Sequence, residues 1–267
     1  MPNWCSTSLV VRGPEQEVRA FYEGCLMEND EGEKYARILD GHIPCPEGLR
    51  DITSTFTYAP DEIPQKWKDY LASGEWTQED YDDRVARNNE NRQKQDEAVA
   101  EYGYKDWYDW QIGEWGVKWG DCDTEFHTKP TPYYHKSLWM TSATFQTPWG
   151  VGVAGFIKLS KKFPNCLFML DSDEEAGFFQ GIEMMHGGEV VFEDYFEPCN
   201  YSPPTSEGMD WEDEDQVLMY EDWKLDQHHA IEKNVETYLR NRDWLPQPVI
   251  PDKPKEAVKA GKPQWWR

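Results

Sequence analysis

The spacing of apolar residues changes from a period of two to a helical period at two places in this chain. Each change marks a strand handing over to a helix. From Trp4 to Arg12, Cys5, Thr7, Leu9 and Val11 alternate with Trp4, Ser6, Ser8 and Val10, the pattern of a pleated strand. Gly13-Pro14 ends the alternation. Val18, Phe21, Tyr22, Cys25 and Leu26 then fall at i, i+3, i+4, i+7 and i+8, one apolar helical stripe, with Pro14, Glu15 and Glu17 suited to its N-terminus. The second handover follows a strand from Leu138 to Thr147. Thr147 reads as an N-cap with Pro148 at the first helical position, and the helix to Lys162 carries Val153, Phe156 and Ile157.

Three further strands complete the pattern. Trp115, Val117 and Trp119 alternate with Gly116, Lys118 and Gly120; Cys166, Phe168 and Leu170 follow the break at Phe163-Pro164-Asn165; Val190 to Phe196 comes last. The order strand–helix–(insert)–strand–strand–helix–strand(–strand) predicts an α+β fold, a ferredoxin-like split β-α-β sandwich with an antiparallel sheet, helices on one face and a helical insertion. The term describes topology and implies no iron–sulfur cluster. The expected organisation is a core over 1–197 with the insertion at about 42–116, an acidic segment plus amphipathic helix over 198–245, and a flexible Pro-rich tail over 246–267. In the insertion, Thr77 to Asp80 forms a capping-box variant that opens a long, almost wholly polar helix. Residues 205–226 hold nine acids and one Lys, which predicts a segment that stays extended or coats a surface. Ile231, Val235, Tyr238 and Leu239 predict the amphipathic helix after it.

Composition narrows the function. The net charge is −24 over 267 residues, which argues against binding a nucleic-acid backbone directly. No apolar run approaches the ~20 residues of a membrane span, and no basic, apolar leader is present, so the expectation is a cytoplasmic protein that does not meet a membrane. The six cysteines are widely spaced with no C-x-x-C, which predicts free thiols. Only 38% of residues are hydrophobic, yet 15% are aromatic. Rings must therefore fill much of the interior.

These residues resemble a known family. Met1-Pro2-Asn3-Trp4-Cys5 with Arg12-Gly13-Pro14, Ile43-Pro44-Cys45-Pro46-Glu47, Trp115-Gly116-Val117-Lys118-Trp119-Gly120-Asp121, Phe145-Gln146-Thr147-Pro148-Trp149, and Glu174-Glu175-Ala176-Gly177 with Phe179 and Gly181 are similar to the YubB-like family. The sequence departs at Pro148-Trp149-Gly150, where the family pattern has a tryptophan followed by serine-proline. The resemblance implies a phage- or plasmid-borne protein with a ferredoxin-like domain. It implies no reaction.

Several residue sets carry candidate chemistry. Gly150-Val-Gly152-Val-Ala-Gly155 matches G-x-G-x-x-G, with Asp171 on the next strand. A dinucleotide fold needs more βα units than follow, so the glycines read better as close helix–sheet packing, while backbone N–H groups near Thr147–Trp149 remain a candidate anion site. The rings from Tyr102 to Trp119 are either core or a stacking surface. Asp121, Cys122, Asp123, His127, His135 and the His228-His229 pair match no ligand spacing, so no metal is expected. No catalytic motif and no cofactor motif is written, which leaves the chain leaning away from an enzyme.

The reading that follows is a non-catalytic binding protein of a phage or plasmid, with counter-defence as its expected role. It would recognise a host protein or a small nucleotide-like ligand through an aromatic-lined surface. Its expected ligand-binding residues are Asn3, Trp4, Trp115, Lys118, Trp119, Thr147 and Trp149. The rings would stack, Lys118 would supply charge and the helix N-terminus would supply donors. The alternatives are an acidic DNA mimic that blocks a host nucleic-acid-binding protein, and an enzyme acting on a nucleotide.

Overall fold

In the computed structural model the described residues are 2–133, 137–201 and 209–245. The predicted tail at 246–267 and His135 lie outside them. The strands are β1 (Trp4–Gly13), β2 (Leu26–Glu28), β3 (Lys34–Ala36), β4 (Cys122–Pro132), β5 (Trp139–Pro148), β6 (Leu167–Glu174), β7 (Gln180–His186) and β8 (Glu189–Phe196). The helices are α1 (Glu15–Gly24), α2 (Leu39–His42), α3 (Glu47–Arg50), α4 (Gln65–Ser73), α5 (Gln78–Tyr102), α6 (Trp107–Trp115), α7 (Val153–Lys162) and α8 (Glu214–Asn241).

Six strands form one sheet in the order β4-β5-β1-β6-β7-β8, with every neighbouring pair antiparallel. The chain is thus a mixed α+β protein. Its sheet has two differently covered faces, because successive side chains on a strand point to opposite sides. Leu9, Val11, Phe145, Phe168 and Leu170 pack with Val18 and Phe21 of α1 and Phe156 and Leu159 of α7. Leu167, Ile182 and Met184, on the other face, pack with Ile231, Val235 and Leu239 of α8. Phe21 is fully buried and meets Phe126, Phe163 and Phe168 edge-on at centroid distances of 6.5, 5.9 and 5.3 Å. Burying a ring of this size contributes about 1.5–3 kcal/mol. The prediction that rings fill this interior is realised here, where α1 crosses the sheet.

Three local expectations are corrected. Trp115–Trp119 is no strand: α6 ends at Trp115, and the chain turns through positive φ at Gly116, Trp119 and Gly120. Gly116 is the left-handed C-cap that a helix end favours. The strand beside β5 is instead β4, an edge strand whose Lys129, Pro130 and Pro132 blunt pairing with another chain. Thr147 and Pro148 do not start a helix: they end β5, and α7 begins at Val153 behind Gly152, whose φ of 74° no side-chain cap accompanies. Finally, the acids from Glu214 onward are helical, with Asp213 capping the amides of Asp215 and Gln216. Acidic residues at a helix N-terminus offset the partial positive charge there, which is why repulsion does not hold this stretch extended. The capping box at Thr77 and Asp80 forms as the sequence indicates.

Candidate functional site

The turn after α6 is held from two sides. The Trp119 amide donates to the Gln111 side chain at 2.7 Å, and Trp115 donates its indole N–H to the Ile43 carbonyl at 2.9 Å. Below them the buried Asp121 carboxylate accepts the amides of Ile38 and Leu39 at 2.8 and 2.7 Å and the Thr124 hydroxyl at 2.5 Å. A carboxylate receiving two amides and a hydroxyl is a strong, directional joint. It ties the loop before α2 to the loop before β4, residues more than eighty positions apart. Asp121 is thereby structural, not a metal ligand. Among the described residues no group of three or more His, Cys, Asp or Glu is placed to hold a metal ion.

Five of the seven expected site residues meet at one surface. Lys118 Nζ lies 3.8 Å from the ring centroid of Trp119 and 4.3 Å from that of Trp149. Trp4 stands 6.4 Å from Trp119, and the Trp149 amide donates to the Asn3 carbonyl at 2.8 Å. Trp119 and Trp149 are 43% and 51% exposed, large fractions for indoles. Both also hold positive φ, 66° and 62°. For a bulky residue such a backbone costs on the order of 1–3 kcal/mol, and it persists only where the surroundings enforce it. Trp115 and Thr147 do not join them. Trp115 is 2% exposed and packs edge-on against Trp110, 5.2 Å away. Thr147 is buried and donates to the Gly150 carbonyl. The expected anion site at Thr147–Trp149 is absent for the same reason: no helix starts there, and the Trp149 amide is already used.

Trp119 also borders a cleft that sequence reasoning missed. This hollow of about 390 Å³ is lined by Trp107, Gln111, Trp115, Trp119, Arg37 and Arg50, with Asp40, Cys45, Gly120 and Asp121 completing it. Arg37 donates to the Asp121 carbonyl. Arg50 donates to the Cys45 carbonyl at 3.1 Å and to Asp40 at 3.2 Å. Each guanidinium has five N–H donors, so both keep some in reserve. The available signal was faint: Arg37 and Arg50 flank the Pro44-Cys45-Pro46 loop, and nothing in their spacing points to Trp107.

The expected helix–sheet packing of the glycine motif is corrected: Gly150 has open space around it, and Gly155 packs against helices, not the sheet. A Cβ on Gly155 would sit 2.6 Å from Leu39 Cδ2 and 3.4 Å from Trp115 Cα, so α7 approaches the α2 and α6 layer through a missing side chain. Cys25 and His42 bring a thiol beside an imidazole, with Sγ and Nε2 3.5 Å apart. Burial pushes His42 down to about 4 and Cys25 well up. Both are therefore neutral, and the ring stacks on Phe21 at 5.3 Å in the core. A thiolate nucleophile needs an electropositive, accessible setting that this pair lacks.

No family model and no curated protein matches the chain. Among solved structures, the protein api92 from Yersinia pseudotuberculosis, described under the family model DUF1281, aligns with 77% of this chain and 100% of its own at 13% identity and a TM-score of 0.31. A likeness this slight carries no argument. Among the described residues no helix is long and apolar enough to cross a membrane.

Proposed function

We propose that this chain is a non-catalytic binding protein whose Trp107–Trp119 cleft takes a small nucleotide-like ligand, a flat ring joined to an anionic group. The observation that carries this reading is the cleft itself, with tryptophans and two arginines collected on a chain of net charge −24. Base–indole stacking contributes about 1–3 kcal/mol per base, and arginine forks match phosphate geometry. Asp40 and Asp121 line the same cleft and balance the two guanidiniums, so what an anion would meet there is their spare N–H donors.

We read the β1-α1-β4-β5-α7-β6 portion as a ferredoxin-like sandwich, supported by the strand order β4-β5-β1-β6 and by α1 and α7 sharing a face. A phage or plasmid protein acting in the host cytosol, in counter-defence, is the setting that the YubB-like resemblance suggests. DNA mimicry is the second reading. It draws on the exposed acids Glu212, Glu214, Asp215, Glu221 and Asp222 along the start of α8.

Calorimetry with a panel of nucleoside mono-, di- and triphosphates tests the first reading. Binding weakened at least tenfold by Trp119→Ala and by Arg50→Ala, with unchanged circular dichroism, supports it. A panel in which nothing binds, or binding indifferent to both changes, overturns it. Mimicry instead predicts a protein partner lost between low and moderate salt.

A further inference from the structure

A second cavity, of about 530 Å³, lies between the β6–β7 turn, the turn at Pro198–Asn200 and the first half of α8, and shares no lining residue with the Trp119 cleft. Its walls are aromatic. Trp211 and Tyr220 stand nearly perpendicular, 85° apart with centroids at 5.4 Å, and Tyr201 meets Tyr220 at 5.2 Å and 68°. Trp223 backs this group, 5.2 Å from Tyr201 and 6.3 Å from Tyr220. Tyr220 meets both other rings at steep angles, and all three line one space, the ingredients of an aromatic cage.

The other side of the cavity is acidic. Asp173, Glu174 and Glu175 line it, with Lys224 the one cation among its described lining residues. Glu174 is occupied: its carboxylate accepts the amides of Ala176 and Phe178 at 3.1 and 3.0 Å, which fixes the β6–β7 turn. The Cys199 amide donates to the Gly177 carbonyl at 2.9 Å and locks the two turns together. The backbone that carries Asp173 and Glu175 is therefore fixed. Lys224 shows what this environment holds. Its ammonium sits 3.7 Å from Asp173 and 5.6 Å from the Tyr220 ring centroid, so the chain's own ammonium already bridges a carboxylate and a π face.

We infer that this cavity is a binding site for an organic ammonium ion, caged by Trp211, Tyr220 and Tyr201 and charge-matched by Asp173 and Glu175. Its chemistry suits a quaternary or alkylated ammonium, which is weakly hydrated and leaves water for π faces at small cost. Such a group reaches it either on a free small molecule or on a methylated lysine side chain.

Tryptophan fluorescence and calorimetry on the full chain test this with four probes: choline, a trimethyllysine peptide, the neutral choline isostere 3,3-dimethyl-1-butanol, and sodium sulfate. The expected result is saturable binding of choline, the peptide or both, with none for the neutral isostere or sulfate. Choline alone identifies a free cation as the source; stronger binding of the peptide identifies a protein side chain. Trp211 is 64% exposed, so Trp211→Ala leaves the fold intact and should weaken binding at least tenfold. Lys224→Met removes the competing internal ammonium and should strengthen cation binding severalfold while the neutral isostere still fails to bind; a merely apolar pocket would gain affinity for both. Failure of both cations to bind, equal binding of the neutral isostere, or weaker binding in Lys224→Met overturns the inference.

Discussion

Lys118 places its ammonium 3.8 Å from the centre of the Trp119 ring, inside the same turn that forces Trp119 into positive φ. The charge that the sequence offered as a ligand contact is thus engaged within the protein. Trp149 completes the arrangement from the end of β5 at 4.3 Å, so the cation joins two turns that backbone hydrogen bonds alone leave separate.

Lys118→Met keeps most of the side-chain volume and removes the charge. It should cost about 0.5–1 kcal/mol, the worth of an exposed cation–π contact. A double-mutant cycle with Trp149→Leu, read by urea denaturation, should return a coupling of that size. A coupling of zero would mean that the rings and the cation are neighbours without interacting.

Asp121 should be among the costliest single positions. Asp121→Ala leaves the Ile38 and Leu39 amides without their acceptor in a buried place, at about 1–3 kcal/mol each. Asp121→Asn retains one acceptor oxygen and should fall between alanine and wild type. Thermal denaturation ranks the three, and equal melting temperatures for wild type and Asp121→Ala would contradict the joint described here.

The glycines of the 150–155 motif should fail for steric reasons. Gly152 at φ 74° makes Gly152→Ala cost about 1–2 kcal/mol through its backbone. Gly155→Val overpacks the Leu39 contact and should cost about 1–3 kcal/mol. Denaturant midpoints measure both. A pyrophosphate-binding role would instead show as nucleotide affinity lost without a change in stability.

His42 gives stability a pH dependence. Its folded-state value is about 4, below the ordinary 6.5, because burial penalises the imidazolium. Below about pH 6.5 the unfolded chain takes up a proton that the folded chain refuses, so this contribution is complete above pH 6.5 and is lost as pH falls toward 4. The loss amounts to roughly 3 kcal/mol at 1.36 kcal/mol per unit. Asp171, Asp173 and Glu183 act in the opposite sense: burial raises them, so protonation favours their folded state. The His42 part is isolated by comparison with His42→Gln. The stability advantage of wild type over that variant should shrink between pH 7 and pH 4, and an advantage constant over that range would be inconsistent with a buried neutral imidazole.

Short-range physics made β1, α1, the capped start of α5 and the apolar stripe of α8 readable from the order of residues. Alternation and the i, i+3, i+4 stripe depend only on neighbours along the chain. Strand β4 escaped the same reading because an edge strand buries little, and Thr124 and Thr128 occupy its inner positions beside Phe126. Trp115–Trp119 misled because alternating tryptophans satisfy a strand period while glycines at 116 and 120 let the chain turn. The meeting of Trp4, Lys118, Trp119 and Trp149 follows from β1 pairing with β5, Trp4 opposite Pro148, and that register is set across the sheet. The Arg37–Arg50–Trp107 cleft arose from packing between segments far apart in sequence; Tyr201, Trp211 and Tyr220 are close in sequence, and only the packing of α8 sets them opposite the β6–β7 turn. Spacing along a chain encodes which face a residue presents. It does not encode which distant face will be packed against it, since that is settled by burial and hydrogen bonding of the whole molecule at once.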